Sequence, residues 1–255
     1  MKTLGMALGA LALSASIASA QVLELRQYRL TPGGRDGFVA LFDREFVETQ
    51  EAVGITLLGQ FRDLDDPNRF TWIRAFPDMR SREQALTAFY SGDHWKAKRN
   101  EANSFILDSD NVLLLRPAGH GFAAPPPRAK PGAASPSGGL LIANLWPLWA
   151  EPDAEFTAFF ETTVKPELEA SGLPVTATFL PVREANSYPR LPVREGEKLF
   201  VWFTRAESPE AYSQALRRLE ARPGWKTGVA PELAERLESR PVVRRLSPTP
   251  RSALR

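Results

Sequence analysis

The chain has 255 residues, 43% of them apolar and 24% charged, a net charge of +2, two histidines and no cysteine. This balance provides for two modest hydrophobic cores. It excludes a polycationic nucleic-acid surface, because arginine and lysine are interspersed with acids, and the missing cysteines exclude disulfides, thiolate nucleophiles and cysteine-ligated metal.

Residues 1–20 read as a signal peptide: Lys2 is a positive start, Leu4 to Ile17 are apolar or small, and Ala18-Ser19-Ala20 is a small-x-small cleavage site. Cleavage after Ala20 leaves a mature chain from Gln21, exported to the periplasm or secreted, with no transmembrane span thereafter. Export without disulfides fits a bacterial cell envelope. The alternative is an uncleaved N-terminal anchor.

A first module is expected over residues 21–117. Leu23, Leu25 and Gln27 alternate with Glu24, Arg26 and Tyr28, the period of a two-faced strand. Thr31-Pro32-Gly33-Gly34 is a turn, after which Phe38, Leu41, Phe42 and Phe46 fall on one helical stripe. Ile55 to Phe61 and Phe70 to Phe76 read as a hairpin around Asp65-Asp66-Pro67-Asn68. Asp78 is a helix N-cap before Leu86, Phe89 and Tyr90, and Asn111 to Leu115 is a last strand. Residues 118–139 form a linker rich in Pro, Gly and Ala.

The pattern then repeats over residues 140–248. Phe38, Leu41, Phe42 and Phe46 return 118 positions on as Phe156, Phe159, Phe160 and Val164, while Trp72 and Trp95, 23 residues apart, return as Trp202 and Trp225. Between these blocks the offset grows from 118 to 130, so Arg183 to Lys198 carries an insertion of twelve residues. Ser208-Pro209-Glu210 repeats the capping position of Asp78. Residues 249–255 are expected to be a disordered tail. Strand, helix, strand, strand, helix, strand is the ferredoxin-like order. The fold class expected is α+β, two tandem ferredoxin-like modules.

Leu23-Glu24-Leu25-Arg26-Gln27-Tyr28, the Pro32-Gly33 turn before a phenylalanine-bearing helix, and Phe89-Tyr90 ahead of Trp95-Lys96 together resemble the NIPSNAP family of the dimeric α/β-barrel class. The second module looks like a diverged copy. It keeps Trp225-Lys226, lacks the Arg/Tyr pair on its first strand, and has Leu219-Glu220 in place of Phe89-Tyr90. The resemblance implies that open sheet faces pack together into a barrel, within one chain or in a homodimer. It lends little to an enzymatic role, since the family is better known for protein interactions than for catalysis.

If Leu23 and Leu25 pack on the helices, Glu24, Arg26 and Tyr28 point into the barrel, joined by Trp72 and Arg74. Such a lining holds a small molecule, or serves only as a buried ion pair. His94 is a further candidate ligand residue, as a general base or haem ligand. Its plain alternative is a solvated surface histidine. Trp95 and Trp225, fixed beside lysine in both copies, read as core positions. No catalytic triad, phosphate loop, paired carboxylates or metal-ligand spacing stands out, so no cofactor, metal or catalytic residue is assigned. The expected role is binding of a protein partner or a small apolar ligand. A cofactor-independent oxygenase or isomerase-like enzyme using the barrel cavity is the alternative.

Overall fold

The computed structural model describes residues 21–123, 127–134 and 138–255; the signal-peptide reading lies outside them. The first half runs β1 (Val22–Leu30), α1 (Arg35–Glu45), α2 (Val47–Glu51), β2 (Thr56–Asp63), β3 (Arg69–Phe76), α3 (Met79–Ser91), α4 (Asp93–Ser104), a short β4 (Ile106–Asp108) and β5 (Val112–Pro117). The second half runs β6 (Leu140–Pro147), α5 (Ala154–Phe159), α6 (Lys165–Ala170), β7 (Val175–Pro181), β8 (Leu199–Ala206), α7 (Pro209–Ala221), α8 (Ala230–Arg236) and β9 (Val242–Pro248). Local chemistry sets the boundaries. Gly33 takes a positive φ of 74° in the turn after β1. Asp78 accepts from the Ser81 amide at 2.7 Å to cap α3, and Ser208 accepts from the Ala211 amide at 3.1 Å to cap α7. In the second half, π-helical turns at Phe160–Val164 and Gly224–Val229 join α5 to α6 and lead into α8.

The strands form one antiparallel sheet in the order β3-β2-β9-β6-β8-β7-β5-β1, which β1–β3 pairing closes into a barrel; β4 adds to the edge of β1. Two seams join the halves. Phe61, Arg62 and Asp63 pair with Pro248, Ser247 and Leu246, and Leu115, Arg116 and Pro117 pair with Pro181, Leu180 and Phe179. Closure pairs the strand edges that each half alone would leave open.

Three apolar clusters follow. One fills the barrel with residues from both halves, among them Leu23, Leu25, Phe61, Ile73, Leu113, Leu141, Phe179 and Phe203. The other two lie between the sheet and the helices, one in each half. Trp95 and Trp225 are partly buried against these helical-side cores.

The faces are therefore opposite to the sequence expectation. Leu23 and Leu25 point into the barrel, whereas Tyr28 and Trp72 pack beneath α1 and α3. Strand alternation says that two sets of side chains oppose each other, not which set faces which layer. An eight-stranded barrel has room only for closely packed side chains, and aliphatic residues and phenylalanines fill it. The buried tyrosine and tryptophan rings lie under the helices, with the guanidinium groups of Arg26, Arg74 and Arg82 beside them in the first half.

Two further expectations are corrected. Residues 249–255 are ordered: Leu254 is buried in the barrel cluster, its amide donates to Leu58 O at 2.7 Å, and Thr249 and Ser252 are buried. The linker also contributes to the core. Ala118 N donates to Thr178 O and Thr178 N donates to His120 O, which brings Phe122 against Phe179 and Phe203 with ring centroids 5.4 and 4.8 Å away. An open barrel end exposes apolar side chains, so covering it with Phe122 and Leu254 gains burial free energy.

Candidate functional site

Under the helices of the first half lies a cavity of about 100 Å³. Its wall includes Tyr28 and Trp72 from the sheet, Phe42 and Phe46 from α1 and its end, and Tyr90 and Trp95 from α3 and α4. The rings hold one another at edge-on geometry: Tyr28 and Trp72 are 5.8 Å apart, Phe42 and Trp72 5.0 Å, Tyr90 and Trp95 4.9 Å. Gln50 from α2 adds a polar group to the same wall.

Behind this wall is a fully buried ionic cluster. Strand register sets Glu24 opposite Arg74 and Arg26 opposite Trp72. Glu24 Oε2 accepts from Arg26 Nη1 at 2.8 Å and from Arg74 Nε at 2.7 Å, while Oε1 accepts from Arg82 Nε at 2.6 Å. Burial alone raises the carboxyl, but Arg74, Arg26 and Arg82 overcome it and hold Glu24 well below the usual carboxylate range. Arg26 and Arg74 also lie over the Trp72 ring, at 5.5 and 4.9 Å.

The cluster reaches the cavity through two neutral side chains. Arg26 Nε donates to Tyr28 Oη at 3.1 Å, and Arg74 Nη1 donates to Gln50 Oε1 at 2.9 Å. Burial raises the Tyr28 hydroxyl above its ordinary range, against the opposing effect of Arg26.

The twelve-residue insertion of the second half covers this site in the first. The chain is tied to β5 just before and within this segment, with Val182 N donating to Leu114 O at 2.9 Å and Arg194 N to Val112 O at 2.8 Å. Arg82 Nη1 donates to Asn186 Oδ1 at 2.9 Å and to Ser187 Oγ at 3.0 Å. Tyr188 stacks on Tyr90 with centroids 5.9 Å apart, and Leu191 lines the cavity.

Glu24, Arg26, Tyr28, Trp72 and Arg74 therefore come together, but against the helices and not inside the barrel. The filled barrel removes the lining proposed there for an enzyme. His94 stands apart, with its side chain 42% exposed and Nε2 3.3 Å from Glu45 Oε2. It is absent from the cavity wall, which corrects its selection as a ligand residue. Sequence reasoning missed Gln50, Arg82, Tyr90 and the insertion residues. Arg82 carried a signal, since it stands on the α3 stripe of Leu86 and Phe89 where an apolar residue is expected. Among the described residues, no group of three acids or histidines is placed to hold a metal ion, and no helix is long and apolar enough to cross a membrane.

Residues 23–119 match the family model described as NIPSNAP. The chain carries a NIPSNAP domain. The match takes in all five strands of the first half and every first-half residue of the cavity and ionic cluster. A NIPSNAP-like domain protein from Burkholderia xenovorans is 24% identical, with a TM-score of 0.38 over 44% of this chain and 97% of that one. Solved structures that match both halves include two named for oxygen chemistry. One is described as anthrone oxidase-like, with a TM-score of 0.58, 11% identity, and 91% of this chain against 93% of its own. The other is a candidate monooxygenase from Fusobacterium nucleatum, with a TM-score of 0.56, 10% identity, and the same 91% and 93%. These likenesses are of fold. Among curated proteins, none matches the chain.

Proposed function

We propose that the NIPSNAP domain binds a small planar aromatic molecule in the cavity beneath its helices. The second half, on this reading, is a diverged tandem copy that closes the barrel and covers the site. One observation carries the proposal. A cavity walled by aromatic rings meets, through Tyr28 and Gln50, a buried ionic cluster that the fold does not need, and a neighbouring segment holds both in place. Ring faces supply affinity for a planar ligand and the two polar groups orient it. Export to a bacterial envelope belongs to the same reading, supported by the pattern of residues 1–20.

The test is a fluorescence titration with 4-bromophenol, because Trp72 and Trp95 line the cavity. One-to-one quenching is expected, and it should disappear when Ala102→Phe fills the space. Quenching that survives in a folded Ala102→Phe protein contradicts the reading. Native mass spectrometry of protein from its own source should show one retained small molecule per chain.

The likeness of both halves to proteins named for oxygen chemistry favours a second reading, oxygenation without a cofactor. Dioxygen uptake on adding anthrone, with one anthraquinone and one water formed per dioxygen consumed, tests it. A rate no greater than that without protein counts against it.

A further inference from the structure

The charges around Glu24 do not balance, and the imbalance identifies the kind of ligand that the cavity takes. Arg26, Arg74 and Arg82 are all buried, and Glu24 is the only carboxylate that they pair with among the described residues. Three guanidinium groups against one carboxylate leave two positive charges uncompensated. Their other partners are neutral: the Tyr28 hydroxyl, the Gln50 and Asn186 carbonyl oxygens and the Ser187 hydroxyl. Among the described residues, Arg74 Nη2 and Arg82 Nη2 have no hydrogen-bond partner.

Ring faces compensate only in part. A cation over an aromatic ring gains less than an unpaired ion loses on leaving water. The second half shows that the backbone tolerates the site without charge. At the matching register Ile142 opposes Thr204 and Asn144 opposes Trp202, in place of Glu24 opposing Arg74 and Arg26 opposing Trp72. A surplus of positive charge kept at one of two equivalent places calls for an anion.

The cavity is where that anion fits. Tyr28 Oη accepts from Arg26 Nε, so its own hydrogen is left to donate, and among the described residues it donates to none. Arg26 polarises that hydroxyl and makes it a stronger donor. Gln50, held by Arg74, stands on the same wall.

We propose that the ligand is an aromatic ring bearing an oxyanion, a carboxylate or a phenolate, whose charged oxygen accepts from Tyr28 while Arg26 and Arg74 neutralise it from behind. This rests on the reading of the cavity as the ligand site. Neutral aromatic molecules of the same shape bind there more weakly, because they leave the arginines as they were.

Calorimetry with matched probes tests the charge separately from the site. At pH 8, benzoate should bind at least tenfold more tightly than benzamide, and 4-nitrophenolate at least tenfold more tightly than 4-nitroanisole. The first pair reports on carboxylates and the second on phenolates; preference in either pair supports the inference. Glu24→Gln removes the internal counter-ion, so it should raise the ratio of benzoate to benzamide affinity at least threefold. If Glu24→Gln does not fold, the wild-type pairs still decide. Equal affinity within both pairs overturns the anion and leaves the cavity standing. No binding of any of the four overturns both.

Discussion

The two halves of the sheet share a register and differ in what they bury beneath their helices. In the first half Glu24, Arg26 and Tyr28 face Arg74, Trp72 and Phe70 across the β1–β3 pair. In the second, Ile142, Asn144 and Trp146 face Thr204, Trp202 and Phe200 across β6–β8. Arg82 corresponds at the offset of 130 to Tyr212, and Gln50 at 118 to Leu168. The second half packs Trp146, Phe160, Phe200 and Trp202 in mutual contact, with centroids as close as 4.6 Å for Phe160 and Phe200. One backbone thus supports an apolar filling or an ionic cluster beside a cavity. A buried ion network gives no more stability than a well-packed apolar core. Its presence in only one half separates what the fold requires from what a site requires.

The sharpest break of this comparison is at Glu24. Glu24→Ala strands three buried guanidinium groups and should cost about 3–5 kcal/mol in urea unfolding. At the matching position in the second half, the smaller deletion Ile142→Val should cost only about 0.5–1.5 kcal/mol. Similar costs at the two positions would show that the cluster is not an energetic unit.

Leu254 tests a contact that the halves share, since it packs at the barrel cluster built from both. Leu254→Ala should cost about 2–5 kcal/mol. A disordered tail would show no loss.

Acid should also discriminate between the halves. Glu24 is held below its unfolded value, so its contribution is fully present above about pH 4.3, the ordinary glutamate value, and is lost as pH falls toward the folded pKa. Wild-type stability should therefore drop between pH 5 and pH 3 more steeply than that of Glu24→Gln, measured by urea unfolding at each pH. Parallel curves would mean that the arginines do not stabilise the carboxylate.

The smallest effect belongs to His94. His94→Ala should change stability by less than about 0.5 kcal/mol, as for other exposed positions, and leave 4-bromophenol binding unchanged. Lost binding would return His94 to the site.

Much of this architecture was legible in the sequence. Alternation in Leu23 to Tyr28 and the stripe of Phe38, Phe42 and Phe46 each depend on local geometry, and the constant offsets brought the matching elements of the second half into view. The membership of the site was also legible, because a strand places Glu24, Arg26 and Tyr28 on one side whatever lies there. Which side was not, since that depends on the volume between layers and not on period. Arg82 escaped because a single arginine on an apolar stripe reads as a long surface side chain. The role of residues 183–198 escaped for another reason. Their length signalled an insertion, but the contacts of Asn186, Tyr188 and Leu191 cross to the other half and leave no local pattern. Leu254 and Phe122 are likewise isolated large apolar residues in segments without a periodic pattern.

A crystal soaked with 4-bromophenol and measured at the bromine edge tests directly whether the cavity of the NIPSNAP domain is a ligand site. One anomalous peak per chain is expected, among Tyr28, Trp72 and Trp95, and none among Trp146, Phe160 and Trp202. A peak in the second half alone, or bromine found only on the outer surface, would contradict it.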